Sequence, residues 1–450
     1  MTTGAIDQPK SVGFRPDGTQ WVIGILLILG ALAPVFSPMF ARKPIPLNLA
    51  LEQGVTPVRI VTLLVVMALW AYWVWRQPGA GKAFRVPLLA VLTAFVVGAV
   101  VLVLAAGQDK SLGDRLFLAL RGYGAMLDGA FLKKAALTNT LVASTPLILT
   151  GLGVALGFRA GLFNIGAEGQ YVIGAIFAVF VGYAIHLPPI IHPIAVMLAG
   201  MIGGGLWGAI PGILKAKLGA HEVINTIMMN SIAILLADWL INNLMKDTGS
   251  SSAVRTPIID TSANLPQVVE IFPKMTGNVL HLGFFIAILF AVAVWWLLWK
   301  TTIGFELRTA GSNLDAARYA GIRAERTIIL AMTLSGALAG LAGAIQIQGT
   351  TRFMPTFFAA GYGFDAIAVA LLAFNHPIAV IPAGLLFGAL QTGAEVLQIR
   401  TGASKHIVSI IQALILLFVA APALIRWVYR LRATPDAGTE QVAMTRGWGG

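Results

Sequence analysis

The chain has 450 residues, of which 57% are hydrophobic and only 11% charged, and its mean hydropathy is +0.82. Soluble proteins contain about 25% charged residues, so this composition predicts an integral membrane protein and excludes an ordinary soluble domain. The chain has no cysteine, which excludes disulfides and thiolate metal sites. Its net charge of +12 is better explained by Lys and Arg retained in cytosolic loops than by a nucleic acid partner.

Hydrophobic segments recur along the whole chain. A transmembrane helix needs about 20 mainly apolar residues, and about twelve segments approach that length. The sequence therefore predicts an all-α, polytopic transmembrane helix bundle of about 10–12 spans. The predicted segments are 21–36, 58–75, 86–106, 138–158, 170–185, 193–214, 223–245, 279–299, 327–347, 364–374, 378–397 and 407–429. Segment 364–374 is too short to cross alone, so we predict a half-helix or part of a broken span there.

The Lys and Arg residues predict the orientation of these segments. With both termini in the cytosol, most basic loops also lie in the cytosol, as the positive-inside rule requires. The groups that fit are Arg76, Lys82, Arg85, Arg159, Lys215, Lys217, the cluster at 300–326, Arg426, Arg430 and Arg432. Loop 107–137 is predicted to lie outside despite its Lys and Arg residues, because long loops obey the rule weakly.

The chain divides into three parts by the distribution of its polar residues. Residues 1–110 form an N-terminal transmembrane extension of about three spans, for which a scaffold and lipid-contact role is expected. Residues 111–430 hold nearly all the polar groups within spans and form the core. Residues 431–450 are predicted to be a short cytosolic tail.

A glycine-rich polar break lies between two predicted spans at residues 159–171. Asn164 and the glycines interrupt the helix, and Glu168 and Gln170 fall near the start of the next one, where the helix dipole favours an anion. Interrupted helices in transporters border substrate sites. A tight cytosolic turn with Arg159 and Glu168 as surface charges explains the pattern equally well.

Other polar side chains lie inside predicted spans, where such groups are costly and face the bundle interior or a water-filled path. Helix 222–238 carries a winding polar stripe, which is typical either of a pathway lining or of interhelical hydrogen bonds. The candidates are Thr226, Asn230 and Asp238 on that stripe, Asp365 in the short segment, and Asn139 and Thr145 before Arg159. The last two are the weakest, because Ser and Thr often bond their own backbone.

A polar loop at 302–322 has the pattern of a short, self-capped helix. Asn313 is the expected N-cap and Asp315 lies in the first turn. Arg318 falls near the negative end of the helix dipole, and Gly321 occupies the position of a left-handed C-cap. Small residues in the middle suit close docking into a groove of another protein, with Tyr319 as the one bulky group. A solvated helix at the membrane surface is the alternative.

Further patterns concern packing and the absence of catalytic motifs. Small residues recur every four positions at Gly204, Gly208 and Gly212, and again at Gly336, Gly340 and Ala344, which predicts close helix contacts.

No phosphate-binding G-x-x-x-x-G-K-[ST] loop, H-E-x-x-H pair or G-x-S-x-G motif occurs in the sequence. The sequence therefore favours neither an enzyme nor a metal site, and it does not predict an ATP site of that type.

Four of these segments resemble permease subunits of bacterial ABC importers in the ribose/branched-chain amino acid permease superfamily, and within it the nucleoside and simple-sugar group. They are 145–170, 222–230, 311–321 and 361–370, in order and at sensible spacing. The resemblance covers about residues 111–430. One departure stands out: many relatives have Gly-Gly after the last motif, whereas this chain has Ala373-Phe374-Asn375-His376-Pro377, so its backbone is expected to differ there.

The resemblance implies a type II importer-like permease in the bacterial cytoplasmic (inner) membrane. It implies an ATP-binding subunit, a second permease that is homologous or identical, and a substrate-binding lipoprotein as partners. ATP and Mg would be bound by the ATP-binding subunit, and this chain would hold no cofactor. The expected ATPase-coupling residues are Gly304, Glu306, Arg308, Gly311, Asn313, Ala316, Ala317, Arg318, Tyr319 and Gly321. The expected translocation path contains Asn139, Thr145, Asn164, Glu168, Gln170, Thr226, Asn230, Asp238 and Asp365.

Two other functions remain open from the residues themselves. An ion-coupled secondary transporter also suits about twelve spans, with Glu168, Asp238 or Asp365 as proton carriers. The 302–322 loop counts against it, because a self-powered transporter needs no site for an ATPase. A membrane scaffold without transport is disfavoured by the cost of keeping carboxylates inside a membrane.

Overall fold

A computed structural model of the chain describes residues 80–105, 111–132, 135–249, 254–271 and 279–430. The predicted spans 21–36 and 58–75 and the tail 431–450 lie outside the described residues. The helices are α1 (Ala80–Ala105), α2 (Leu112–Leu127), α3 (Ala136–Arg159), α4 (Ala167–Ala184), α5 (Ile191–Leu218), α6 (Glu222–Asn243), α7 (Val268–Ile271), α8 (Gly283–Lys300), α9 (Thr302–Ser312), α10 (Leu314–Tyr319), α11 (Ala324–Gln346), α12 (Tyr362–Leu372), α13 (Pro377–Thr401), α14 (His406–Ala420) and α15 (Pro422–Val428).

The long helices form the predicted all-α transmembrane bundle. Within the described ranges, eight helices are long and apolar enough to cross a membrane, or nine if the bent pair α14–α15 counts as one span. We name the end of the bundle that carries the 302–322 loop the loop end, and the other the opposite end. α3 ends at the loop end with Arg159, and α13 leaves from there with Pro377.

The predicted short segment is half of a broken span. After α11, a π turn over Ile347–Thr351 ends at the opposite end of the bundle, where Gln348 donates to the carbonyls of Pro193 and Ala263. Residues 352–361 then run without regular structure into the bundle, and α12 continues to the loop end. An unwound stretch followed by a half-helix places a helix N-terminus inside the bundle, as in many transporters.

The small-residue ladders bring α5 and α11 into backbone contact. A Cβ placed on Gly204 would lie 2.3 Å from the carbonyl oxygen of Gly336, and one on Gly340 would lie 2.1 Å from that of Gly200. A Cβ placed on Gly174 of α4 would lie 2.2 Å from the Cα of Gly340, so these two helices are equally close. The predicted close packing is confirmed, because a side chain larger than hydrogen does not fit at Gly204, Gly340 or Gly174.

Two predicted segments contain structure that their hydrophobic pattern did not indicate. The segment 407–429 is not one straight span: α14 and α15 are bent by 89° at Ala421–Pro422. Proline cannot donate an amide hydrogen bond and clashes with the preceding turn, so the helix breaks there. The loop 107–137 also contains α2, which begins with Ser111 as its N-cap, followed by a π turn over Asp128–Leu132.

The turn after α12 has a left-handed backbone conformation. Phe374 and Asn375 have φ of 51° and 54°, in the left-handed region that glycine adopts at little cost. Arg159 supports this turn by donating from Nε to the carbonyl of Asn375 at 2.9 Å and from Nη2 to that of Phe374 at 3.0 Å. Phe374 and Asn375 thus form a left-handed turn with side chains in place of glycine, and the expected difference from the backbone of relatives stays a prediction.

Candidate translocation and coupling sites

Two helices begin at one carboxylate inside the bundle. Glu168 lies in the first turn of α4 and is only 1% exposed. Its Oε1 accepts the backbone N–H of Gly361 at 2.8 Å, and its Oε2 accepts that of Gly363 at 2.5 Å. These amides belong to the N-cap residue and the first turn of α12. Because helix N-termini carry positive partial charge and unpaired N–H groups, a single anion stabilises both helix starts.

Glycine is needed where these two helices meet. A Cβ on Gly363 would lie 2.1 Å from the backbone nitrogen of Glu168 and 2.4 Å from its Cα. Gly361 has φ of 81°, which favours glycine at the start of α12. The pair of glycines thus lets the half-helix approach Glu168 end to end, so the carboxylate reaches both amides.

The polar break before α4 is held by its own amide network. Asn164 Nδ2 donates to Gln170 Oε1 at 2.9 Å and to Ser335 Oγ at 2.8 Å. Asn230 Oδ1 accepts the N–H of Gly169 at 2.8 Å, and its Nδ2 donates to the carbonyl of Ile165 at 2.9 Å. Asn164, Gln170 and Asn230 are all buried, so this network is closed to solvent. The break is therefore a packed structural element of the bundle, and the alternative of a surface turn with Glu168 as an exposed charge is wrong.

The remaining predicted path residues do not join this cluster in the same way. Thr226 and Thr145 are buried and donate to carbonyls of their own helices, at Glu222 and Leu141. Asn139 is exposed on α3. Asp238 lies nearer the opposite end, where its Oδ1 accepts the N–H of Phe357 at 2.9 Å. These contacts are interhelical or local hydrogen bonds, which is the open alternative for the polar stripe on α6.

A more open polar surface lies beside Asp365. This residue is partly buried in the first turn of α12, and its Oδ2 accepts Gln391 Nε2 at 3.0 Å. Glu395 lies one turn further along α13 and is exposed, and Phe364 is 48% exposed. Sequence reasoning missed Gln391 and Glu395. Their spacing of four residues within an apolar span was the available signal, because it puts two polar groups on one helix face.

Aromatic side chains border the same region. The ring of Tyr171 stacks on that of Phe358 with centroids 5.4 Å apart and an interplanar angle of 2°, and Tyr362 meets Tyr171 edge-on at 5.6 Å. Tyr171 is fully buried, whereas Phe358 and Tyr362 are partly exposed. These aromatic residues were also missed, since nothing in their local sequence separates them from ordinary apolar core.

The 302–322 loop folds as two helices, and its second helix is capped as predicted. Asn313 Oδ1 accepts the N–H groups of Asp315 and Ala316, each at 3.0 Å. At the other end Gly321 has φ of 79°, and the N–H groups of Gly321 and Ile322 donate back into the last turn. This is the Schellman arrangement, which satisfies carbonyls that the helix leaves unpaired.

The exposed surface of the loop differs from the expected one. Gly304, Gly311 and Ala317 were expected on the docking surface, but Gly304 and Ala317 are buried, and a Cβ on Gly311 would lie 2.3 Å from the carbonyl oxygen of Arg159. They pack the loop onto the bundle. Arg318 forms an ion pair with Asp315 within its own helix at 3.2 Å. The groups left exposed include Tyr319, which is 95% exposed, together with Glu306 and Ala316.

Residues 136–420 match the family described as the branched-chain amino acid transport system permease component. The chain belongs to this family. It is 40% identical over 351 residues to the guanosine ABC transporter permease protein NupP of Bacillus subtilis, covering 76% of this chain and 94% of that protein. No solved structure matches the chain.

Two further relatives are also ABC transporter permeases. The nucleoside ABC transporter permease protein NupB of Lactococcus lactis is 36% identical over 341 residues, which cover 74% of this chain and 90% of that protein. The glucose ABC transporter permease protein TsgB13 of Haloferax volcanii is 35% identical over 347 residues, which cover 76% of this chain and 88% of that protein. This multi-pass membrane protein is thus a permease of the ABC transporter type. Membership implies an ATP-binding subunit and a substrate-binding protein as its partners.

Proposed function

We propose that this chain is the membrane-spanning subunit of an importer that carries nucleosides, or simple sugars, across the bacterial cytoplasmic membrane. ATP hydrolysis in a separate ATP-binding subunit would drive transport, and ATP and Mg would be bound there. The observation that carries the proposal is the capped helix α10, which is exposed at the surface of a chain similar to nucleoside and glucose permeases. A well-formed helix with a 95% exposed tyrosine suits a protein groove better than water.

The polar surface near α12 supports a nucleoside as the cargo. Ribose hydroxyls and base edges need hydrogen-bond donors and acceptors, which Asp365, Gln391 and Glu395 supply. A base also has a flat apolar face, and Tyr362 and Phe364 are partly exposed aromatic side chains beside these groups. A sugar would use the polar groups with less need for the aromatic ones.

The assembly we propose has two permease subunits, either two copies or two different chains, with a lipoprotein that delivers substrate from outside. Both termini of this chain would lie in the cytosol, as the distribution of Lys and Arg predicts. The loop end of the bundle then faces the ATP-binding subunit, because the 302–322 loop and the basic cluster around it belong to that end.

The first test is purification of the chain from its native membrane in mild detergent, with co-purifying proteins identified by mass spectrometry. A stoichiometric ATP-binding protein supports the proposal. A chain that is isolated alone and still transports after reconstitution without ATP contradicts it and favours the ion-coupled secondary transporter.

The second test changes the exposed tyrosine. Tyr319→Ala should lower the amount of ATP-binding subunit that co-purifies and lower ATP-driven uptake, because a central aromatic anchor often contributes about 2 kcal/mol or more to an interface. Trp296→Ala is the matched control, since Trp296 is an exposed aromatic on the side of α8. Unchanged co-purification and uptake in Tyr319→Ala would show that α10 does not dock.

A further inference from the structure

The indole ring of Trp299, in α8 at the loop end, contacts residues of three other elements. The guanidinium carbon of Arg159, at the end of α3, lies 5.5 Å from the ring centroid of Trp299 in α8. That of Arg308, in α9, lies 5.7 Å from the same ring. The ring of His376, which precedes α13, has its centroid 5.2 Å away. A Trp face attracts guanidinium groups by about 0.5–2 kcal/mol each, so this cluster ties the 302–322 loop to the bundle.

Neutral His376 makes this arrangement possible. Burial, and secondarily the charge of Arg159, lower the pKa of His376 to about 4. The ring is therefore uncharged near neutral pH and packs beside two guanidinium groups without adding a third positive charge.

The cluster continues to the half-helix through Arg159. Its two donated hydrogen bonds hold the carbonyls of Phe374 and Asn375, directly after α12. α12 spans Tyr362–Leu372, and its other end is held by Glu168. Both ends of this short helix are therefore bonded to neighbouring elements, so a displacement of the turn at 374–375 would also strain the contact with Glu168.

The cluster also contains an unpaired donor and an unpaired acceptor. Arg308 Nε and Asn375 Oδ1 are buried, and neither has a hydrogen-bond partner among the described residues. Leaving a buried polar group unpaired costs about 1–3 kcal/mol. Arg308 packs on Trp299, and Asn375 is held by Arg159, which packs on the same ring. A rearrangement that brings this donor and this acceptor together would gain the bond that the present state lacks.

We propose that Trp299 is the joint through which movement of the 302–322 loop reaches α12. A shift of α9 carries Arg308 across the indole toward Asn375, and the turn that Arg159 holds moves with it. The far end of α12 then shifts against Glu168, beside the polar surface of Asp365 and Gln391. This inference rests on the proposed function, since it requires an ATP-binding subunit that moves the loop.

The experiment uses the absence of cysteine from this chain. Phe364→Cys places a single thiol on the exposed side of α12, and its rate of reaction with N-ethylmaleimide is measured in the complete complex with and without ATP. Modification is read as a mass shift of this chain alone, so cysteines in partner subunits do not interfere. The measurement is repeated with Trp299→Leu, and with Trp296→Leu as a control on the same helix that is 55% exposed and outside the cluster.

We expect ATP to change the modification rate of Cys at position 364 by about tenfold, within the usual range of coupling between distant sites. Trp299→Leu should abolish that change and lower transport while the ATP-binding subunit still co-purifies in full. Trp296→Leu should behave as the unchanged chain. An ATP-dependent rate that survives Trp299→Leu overturns the proposal, and so does a rate that ATP never changes.

A second variant controls for the case in which Trp299→Leu misfolds. Arg308→Gln removes one cation from the indole at a partly exposed position of α9 and should weaken the ATP effect in the same direction. Failure of the proposed function would look different, because no ATP-binding subunit would then co-purify with the unaltered chain. A complex that assembles and transports normally with both Trp299→Leu and Arg308→Gln would refute the joint and leave the importer function intact.

Discussion

Replacing Glu168 tests whether this carboxylate holds two helices together or handles substrate. Its oxygens accept two backbone N–H groups of the α12 start, at 2.8 and 2.5 Å, in a site that is 1% exposed. Hydrogen bonds to charged groups contribute about 1.5–3 kcal/mol each, and an unpaired buried N–H costs about 1–3 kcal/mol. Glu168→Ala loses both acceptors, so we expect a loss of about 4 kcal/mol from the free energy of unfolding.

Glu168→Gln has nearly the same shape and keeps one acceptor. Its amide NH₂ then faces one of the two backbone donors, so one N–H loses its partner and we expect a loss of about 2 kcal/mol. Gly363→Ala disrupts the same contact from the other helix, because its Cβ would lie 2.1 Å from the backbone nitrogen of Glu168. It should therefore destabilise the protein as the Glu168 variants do.

The assay is the apparent melting temperature of the detergent-solubilised chain, followed by size-exclusion chromatography after heating. Total stabilities are about 5–15 kcal/mol, so both Glu168 changes should be visible. The melting temperature should be lowest for Glu168→Ala, intermediate for Glu168→Gln and highest for the unaltered chain. Glu306→Gln, at an exposed site on α9, is the control and should leave the melting temperature unchanged. Normal melting of Glu168→Gln together with loss of transport would refute the structural role and assign the carboxylate to the path.

Three other predictions concern packing, strain and pH. Gly204→Ala should destabilise the bundle by about 1–3 kcal/mol through overpacking, whereas Gly205→Ala, whose nearest neighbour would be 3.4 Å away, should be neutral or stabilising in the same melting assay. Phe374→Gly should be about 1 kcal/mol more stable than Phe374→Ala, because both lose the same ring but only alanine is strained at φ of 51°; equal melting temperatures would contradict the strain. Burial lowers the pKa of His281 to about 4. Between about pH 6.5 and 4 the unfolded chain therefore binds a proton that the folded chain does not. The free energy of unfolding should fall by about 2 kcal/mol when the pH is lowered from 6.5 to 5. His281→Asn should flatten this pH dependence, and an unchanged slope would show that other groups cause it.

The capping of α10 shows what could be predicted without tertiary structure. Asn313 and Gly321 act on backbone groups within a few residues of themselves, so their roles follow from spacing alone. The long spans followed from apolar length in the same way, and the half-helix at 362–372 from its shortness. The break at Pro422 could have been predicted from the same local rules and was missed.

The candidate site was predicted only in part. Sequence patterns indicated Glu168, Asn164 and Asn230 as unusual, because polar groups inside a membrane need a reason. They did not indicate the partners, since Glu168 bonds amides at Gly361 and Gly363, far along the chain. Gly311 shows the opposite error: a small residue suited to docking another protein instead packs against the backbone at Arg159.

The sequence by itself determined the membrane class, the apolar spans, the family resemblance and the local caps, because each depends on composition or on residues near one another. Only the tertiary structure decided which helix starts share a carboxylate, which small residues face inward, and that Arg159 and Arg308 meet at Trp299. Those facts depend on which helices meet and on what faces what between them. The small-residue ladders predicted that some helices approach closely, but not which partner each helix meets, because partner choice is a property of the packed bundle.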